Sequence, residues 1–200
     1  MHFMALEVEY QQYLFLPEGS QVLPLDPPSP SSICEPPFRM NLLHDLESLW
    51  WGAIWILFYH TDADSPAENL DAQLRYFNQA FPRAIAQGSR QNFLTKFPQF
   101  LAAYGTLSAT YRSKCAAVLR LGVVLRKFYE KVEKSFPLLL IDDNLLQDVH
   151  KEVLDAYSDA LMQLNDSNIR LQPLHELQET KRNLDDSPTH RAAKKVRRAK

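Results

Sequence analysis

Residues Asn41 to His60 read NLLHDLESLWWGAIWILFYH, and the fold follows from how this stretch is read. It opens polar and acidic, then runs without a charge from Leu49 through Tyr59 and holds all three tryptophans of the chain. Large aromatic rings in such number belong in an interior. Crossing a bilayer takes about 20 apolar residues, more than this run supplies. A continuous apolar run without 3.6-residue alternation predicts a helix buried on nearly every side. Asp45 and Glu47 at its start lie near the positive end of the helix dipole. The expectation is a central helix over 41–60, with the rest of the chain packed around it.

Working outward, residues 1–16 (MHFMALEVEYQQYLFL) intersperse apolar residues with acids and carry no cap. Residues 17–37 contain seven of the 13 prolines, which excludes a helix and predicts an exposed loop or insertion. Beyond the central helix, Ser65, Pro66 and Glu68 spell an S-P-x-E capping box, predicting a helix from there to about Phe81-Pro82. Another helical piece is expected from Gly88-Ser89, broken at Phe97-Pro98 and resumed to Gly105. Residues 108–135 read as one long helix, with Tyr111, Cys115, Val118, Leu119, Leu125, Phe128, Tyr129 and Val132 at helical spacing and Pro137 as its end. Asp142 and Asp143 cap a last amphipathic helix to about Leu164, with Leu146, Val149, Val153, Tyr157, Ala160 and Leu164 on one face. LQPLHELQET adds at most a short turn before the sequence becomes a polar tail. Strand signals are nearly absent, so the class is all-α.

The chain has 200 residues and a net charge of −2, but the charge is unevenly spread. Residues 181–200 hold eight Lys/Arg against two Asp, while residues 1–180 hold 14 basic against 22 acidic residues. An acidic body repels a phosphate backbone, so nucleic-acid binding is not expected of it. Glu7 and Glu9 interrupt the apolar core that a signal peptide would need, and no membrane span is read, so the expected location is intracellular, nuclear or cytoplasmic. Cys34 and Cys115 form neither a framework nor a C-x-x-C pair and read as reduced thiols.

Two stretches together resemble a known family. FMALEV (Phe3–Val8) and, across the Pro-rich loop, HDLESLWWGAIWILFYH (His44–His60) are similar to the fungal-type protein kinase domain, a divergent branch of the protein kinases. The resemblance covers roughly residues 1–140. It implies that residues 1–16 are the end of an activation segment and that the helical domain, taken as 41–165, is C-lobe-like, while composition makes 17–40 a Pro-rich loop or insertion and 166–200 a largely disordered tail with a basic C-terminus. FMALE stands for the family's F-M-A-P-E, with Leu6 in place of proline. The resemblance makes Glu7 the glutamate that ion-pairs with a late C-lobe arginine, for which Arg112 and Arg120 are candidates. A pair of that kind, if buried, costs roughly 3–5 kcal/mol to break from one side. His44-Asp45-Leu46-Glu47-Ser48 resembles the opening of the kinase F helix, with Asp45 as the aspartate that accepts backbone N–H groups of the catalytic loop. Trp50 stands where most kinases carry glycine, which predicts a different local packing.

Phosphoryl transfer in kinases also needs a Gly-rich loop, a strand lysine, H-R-D-x-x-x-x-N and D-F-G, with ATP and Mg as the family's cofactors. Gly19, Gly52, Gly88, Gly105 and Gly122 lie at least seventeen residues apart, and neither of the other two motifs occurs. The chain is therefore expected to hold no catalytic, cofactor-binding or metal-binding residue and to be inactive alone, as a truncated enzyme or a non-catalytic remnant. Without a catalytic loop to hold, Asp45 is expected to be under-satisfied or turned to solvent.

Other constellations carry less. His44 with Glu47, and His60 with Asp62 and Asp64, do not supply the three or four ligands in firm geometry that a zinc site needs, and HTDAD reads as a helix end followed by solvated acids. The aromatic stripes read as core. Apolar surface left uncovered would favour a protein partner or a missing kinase lobe. In the tail, Lys181-Arg182 and Lys194-Lys195-Val196-Arg197-Arg198, eleven residues apart, have the spacing of a bipartite nuclear localisation signal, so an import receptor is a candidate partner. Ser187-Pro188 between them is a candidate phosphorylation site. The alternative function is thus a non-catalytic helical interaction protein, nuclear through this tail.

Overall fold

A computed structural model describes residues 3–16, 37–64, 66, 68–81, 90–135, 138–139, 141–165 and 169–177. The fold is all-α with one short two-stranded sheet. The elements are α1 (Leu6–Tyr10), α2 (Leu42–Tyr59), β1 (His60–Asp62), α3 (Leu70–Ala80), α4 (Gln91–Thr95), α5 (Phe97–Tyr104), α6 (Ala109–Lys114), α7 (Ala116–Glu133), α8 (Asp143–Asn165) and β2 (Leu171–Pro173).

Helix α2 is the centre of the packing, and it starts where a polar cap makes it start. Asn41 Oδ1 accepts the Leu43 N–H at 2.9 Å, while His44 Nδ1 accepts the Asn41 N–H at 2.9 Å. An imidazole here takes the place of the usual Glu or Gln of a capping box. Trp50, Trp51, Ile54 and Phe58 are fully enclosed. The expectation of burial on nearly every side needs correcting, because Leu42, Leu49 and Ile56 are 41%, 60% and 47% exposed. They recur every seven residues and so share one strip of the helix, which no described element covers.

Helix α7 lies against α2. Trp50 Nε1 donates to the Val118 carbonyl at 3.0 Å, and a Cβ added at Gly122 would sit 2.9 Å from the Trp50 ring. The bulk of Trp50 is therefore accommodated by a glycine on the neighbouring helix. The long helix expected over 108–135 is two, because Cys115 breaks it between α6 and α7. Ser108 caps α6 through the Tyr111 N–H.

Helix α8 runs along α7, joined by the pairs Arg120–Asp159, Lys127–Glu152 and Lys131–Asp148. It starts at the expected place, with Asp142 Oδ1 accepting the Leu145 N–H at 2.7 Å. Its inner face is Leu145, Val149, Val153 and Ala156. That seam is turned by about one position from the expected one, so Leu146 is half-buried and Tyr157 exposed. The side chains of Ala160 and Leu164 lie outside the described residues, as does Pro137.

On the other flank, α3 begins at Leu70 under an Asn69 cap rather than at Pro66, and Ser65 is outside the described residues. The Gly88-Ser89 start also lies outside them, and α4 opens at Gln91. The break expected at Phe97-Pro98 falls one residue earlier, at Lys96. The sequence reading did not foresee the sheet. β1 continues directly from α2 and pairs antiparallel with β2, His60 opposite Pro173 and Asp62 opposite Leu171. A helical turn at 174–177 follows and sets Leu174 in the interior at 1% exposure. The stretch just after 166–168 is thus docked on the helices, not part of a free tail.

Candidate functional site

The most unusual feature of the interior is a set of buried polar side chains where residues 3–16 meet the start of α2 and the end of α7. Glu7, His44, Glu47 and Glu133 are each at most 1% exposed. A charged or polar group so placed is stable only when hydrogen-bonded, and nearly all of them are. Glu47 Oε1 accepts the Leu6 N–H at 2.9 Å and the Trp51 Nε1–H at 2.8 Å, and its Oε2 accepts the Tyr129 hydroxyl at 2.7 Å. Glu7 Oε1 accepts the Leu14 N–H at 2.9 Å, and Oε2 lies 3.0 Å from His44 Nε2. Since His44 Nδ1 accepts the Asn41 N–H, the ring proton belongs on Nε2, which donates to Glu7.

Glu133 completes the group from α7. Its Oε2 accepts the Phe15 N–H at 2.6 Å, while Oε1 has no hydrogen-bond partner among the described residues. Burial, reinforced by the neighbouring Glu7 carboxyl, pushes the Glu133 pKa up to about 10, so this side chain holds a proton at neutral pH. Burial also raises Glu47, against the Tyr129, Leu6 and Trp51 hydrogen bonds that lower it. Tyr129 is raised in turn, by burial first and by Glu47 next. The chemistry this arrangement supports is positional: three carboxyl groups take up backbone N–H groups of an irregular segment that has few other partners.

An arginine fastens the same segment from another side. Arg90, 6% exposed, donates from Nη1 to Glu9 Oε2 at 3.0 Å and from Nη2 to the Met4 carbonyl at 2.7 Å, and its guanidinium stacks 4.4 Å from the Trp51 ring. Sequence reasoning missed Arg90, and its choice of partners for Glu7 is corrected here. Glu7 meets His44 and Glu133, whereas Arg120 pairs with Asp159 on the surface and Arg112 accepts the Tyr104 hydroxyl through its carbonyl. The reason is placement, since α7 presents Glu133 toward Glu7 and turns Arg120 toward α8.

Asp45 is turned to solvent, as expected of it without a catalytic loop to hold, and what the sequence did not indicate is that Glu47 goes inside, two positions on and about 200° around the helix. Ser48 Oγ donates to the His44 carbonyl one turn back at 2.8 Å. In the second acidic group Asp64 is exposed as expected, and Asp62 is not. Asp62 is 5% exposed and accepts the Asp64 N–H, Asp64 pairs with Arg170, and His60 Nδ1–H donates to the Ile56 carbonyl. Among the described residues no three His, Cys, Asp or Glu side chains are grouped so as to hold a metal ion. No described helix is long and apolar enough to cross a membrane. Cys115 is half-buried, and burial pushes its thiol up to about 12. Cys34, Ser187 and the basic residues Lys181, Arg182, Lys194, Lys195, Arg197 and Arg198 lie outside the described residues.

Compared with known proteins, the chain matches no family model, no curated protein and no solved structure.

Proposed function

We propose that this chain is the helical scaffold of a fungal-type protein-kinase-like C-lobe, without catalytic activity of its own. One observation carries the reading. The two stretches on which the resemblance rests, Phe3–Val8 and His44–His60, are joined in the interior by the Leu6 N–H to Glu47 and by Glu7 to His44. A kinase-like C-lobe needs its activation-segment end tied to its central helix, and these bonds do that. In this reading Asp45, exposed at the start of α2, stands where a kinase's aspartate accepts the backbone N–H groups of a catalytic loop, and residues 1–200 hold no such loop. The departures are a histidine in place of the arginine opposite Glu7, and Trp50 with Gly122 in place of a glycine on the central helix.

The family's ATP and Mg find no fit here. Residues 1–200 contain no Gly-rich loop, H-R-D-x-x-x-x-N or D-F-G, and the described residues offer no ion-binding group, so no step of phosphoryl transfer is assigned to this chain. Two measurements test the proposal. Calorimetric titration of the chain with Mg-ATP is expected to show no binding, and tight binding would overturn the non-catalytic half. Sequencing the transcript upstream of the Met1 codon is expected to reveal in-frame H-R-D-x-x-x-x-N and D-F-G motifs.

Stop codons in that place favour the second reading, a helical interaction protein. The exposed strip Leu42, Leu49 and Ile56, with open space around Gly52 between them, supports that reading.

A further inference from the structure

A cleft of about 530 Å³ lies where α3, α4 and α5 meet, well away from the buried carboxyl groups. Its lining residues are Tyr76 and Gln79 from α3, Asn92 and Phe93 from α4, and Pro98, Gln99 and Ala102 from α5. The volume is that of a small-ligand site. Two features of the chain shape it. The break at Lys96 separates α4 from α5, and Pro98 in the first turn of α5 starts the second helix at a new angle. Tyr76 and Gln79 are three residues apart on α3 and so share a face, as do Gln99 and Ala102 on α5.

The lining has a definite chemistry. Among the described residues that line it none is Asp, Glu, Lys, Arg or His, so they offer a charged ligand no counter-charge. Its apolar and aromatic lining comes from Phe93, 3% exposed, the half-buried Tyr76, whose ring is edge-on to Phe93 at 6.3 Å and 77°, and Pro98. Its polar lining is carboxamide, from Gln79, Asn92 and Gln99. The side chains of Asn92 and Gln99 make no hydrogen bond to the described residues. A carboxamide offers a donor and an acceptor side by side. Two neighbouring hydroxyls on a sugar ring match that pair, each able to give and take a proton. An unbroken run of prolines presents carbonyl acceptors only and would leave the carboxamide oxygens unmatched.

We propose that this cleft binds a neutral saccharide, one pyranose face resting on the Tyr76 ring and its vicinal hydroxyls on Asn92 and Gln99. The inference is independent of the kinase-like reading. The test is a titration of the isotope-labelled full chain with maltotriose, cellotriose and tri-N-acetylchitotriose, followed by amide NMR. The expected result is saturable shifts of the Asn92 and Gln99 side-chain amides with at least one of the three. The Asn92→Ala/Gln99→Ala variant is expected to lose affinity about tenfold or more, from two lost hydrogen bonds. Should that variant fail to fold by circular dichroism, Gln99→Ala alone, at an exposed position, gives the same comparison. The proposal is overturned by an absence of shifts with all three sugars, by shifts that persist unchanged in the variants, or by shifts produced only by a proline-rich peptide.

Discussion

The segments at 3–16 and 169–177 are both fastened to the central helix region, but by opposite means. Residues 3–16 are held by buried carboxyl groups, a buried arginine and a pair of stacked rings. Residues 169–177 are held by a three-residue backbone ladder, the buried Leu174, an exposed Arg170–Asp64 pair and the Tyr59 hydroxyl at 2.9 Å from His175 Nδ1. Polar bonds in a water-free site are costly to break singly, because the partner left behind cannot turn to solvent. The same kinds of bond in water are exchanged at little cost. The comparison therefore sets an order of expected effects, largest at the first segment and smallest at the ion pair of the second.

The largest effect is expected at Glu47. Glu47→Ala strands the Leu6 N–H, the Trp51 indole N–H and the Tyr129 hydroxyl at once, and each is buried. A loss of roughly 3–5 kcal/mol is expected in urea denaturation followed by far-UV circular dichroism. Glu47→Gln keeps an acceptor for some of the three donors and should lose less than half as much. Equal losses in the two variants would mean that these hydrogen bonds do not hold the segment.

At the second segment the corresponding test is apolar. Leu174 is the residue by which 169–177 enters the interior, and Leu174→Ala is expected to cost about 2–4 kcal/mol by removing enclosed methyl groups. A change below about 1 kcal/mol would show that the segment contributes little to global stability and opens on its own.

The pH dependence of stability should follow the first segment. The Glu133 pKa is raised in the folded protein from 4.5 to about 10. A raised acid binds its proton more tightly when folded, so its contribution is complete below the unfolded pKa and is lost progressively as pH rises through the folded one. Stability is thus expected to fall between about pH 5 and pH 10, with Glu47, also raised, acting in the same direction. Glu133→Gln, which cannot ionise, should flatten this decline and leave the variant more stable than the parent on the alkaline side. A parallel decline in both proteins would place the titrating group elsewhere.

Much of the helical frame could be read from the chain, because caps and apolar spacing are local properties. Asp142 announces α8, and the apolar run from Leu49 announces α2. What could not be read is which acid goes inside. Glu130 and Glu133 are three residues apart on α7, yet Glu130 pairs with Arg126 on the surface and Glu133 is enclosed. Asp45 and Glu47 divide in the same way. A small rotation of the helix makes the choice, and packing partners as far off as Phe15, 118 residues away, fix that rotation. β2 was unreadable for a related reason: three residues ending in proline carry no strand pattern until β1 is there to pair with them.

The smallest effect is expected at Arg170. Its guanidinium lies 3.3 Å from Asp64, but the two side chains are 75% and 66% exposed, so water and salt already compete for both. Exposed pairs of this kind contribute about 0–1 kcal/mol. Arg170→Ala should change stability by less than about 0.5 kcal/mol and remove whatever salt dependence the second segment has. The backbone bond from the Ala63 N–H to the Arg170 carbonyl at 2.8 Å survives the substitution, and so does the ladder. If Arg170→Ala instead destabilised the protein as strongly as Leu174→Ala, the ion pair would hold the segment in place, and the contrast between the two fastenings would fail at its weaker end.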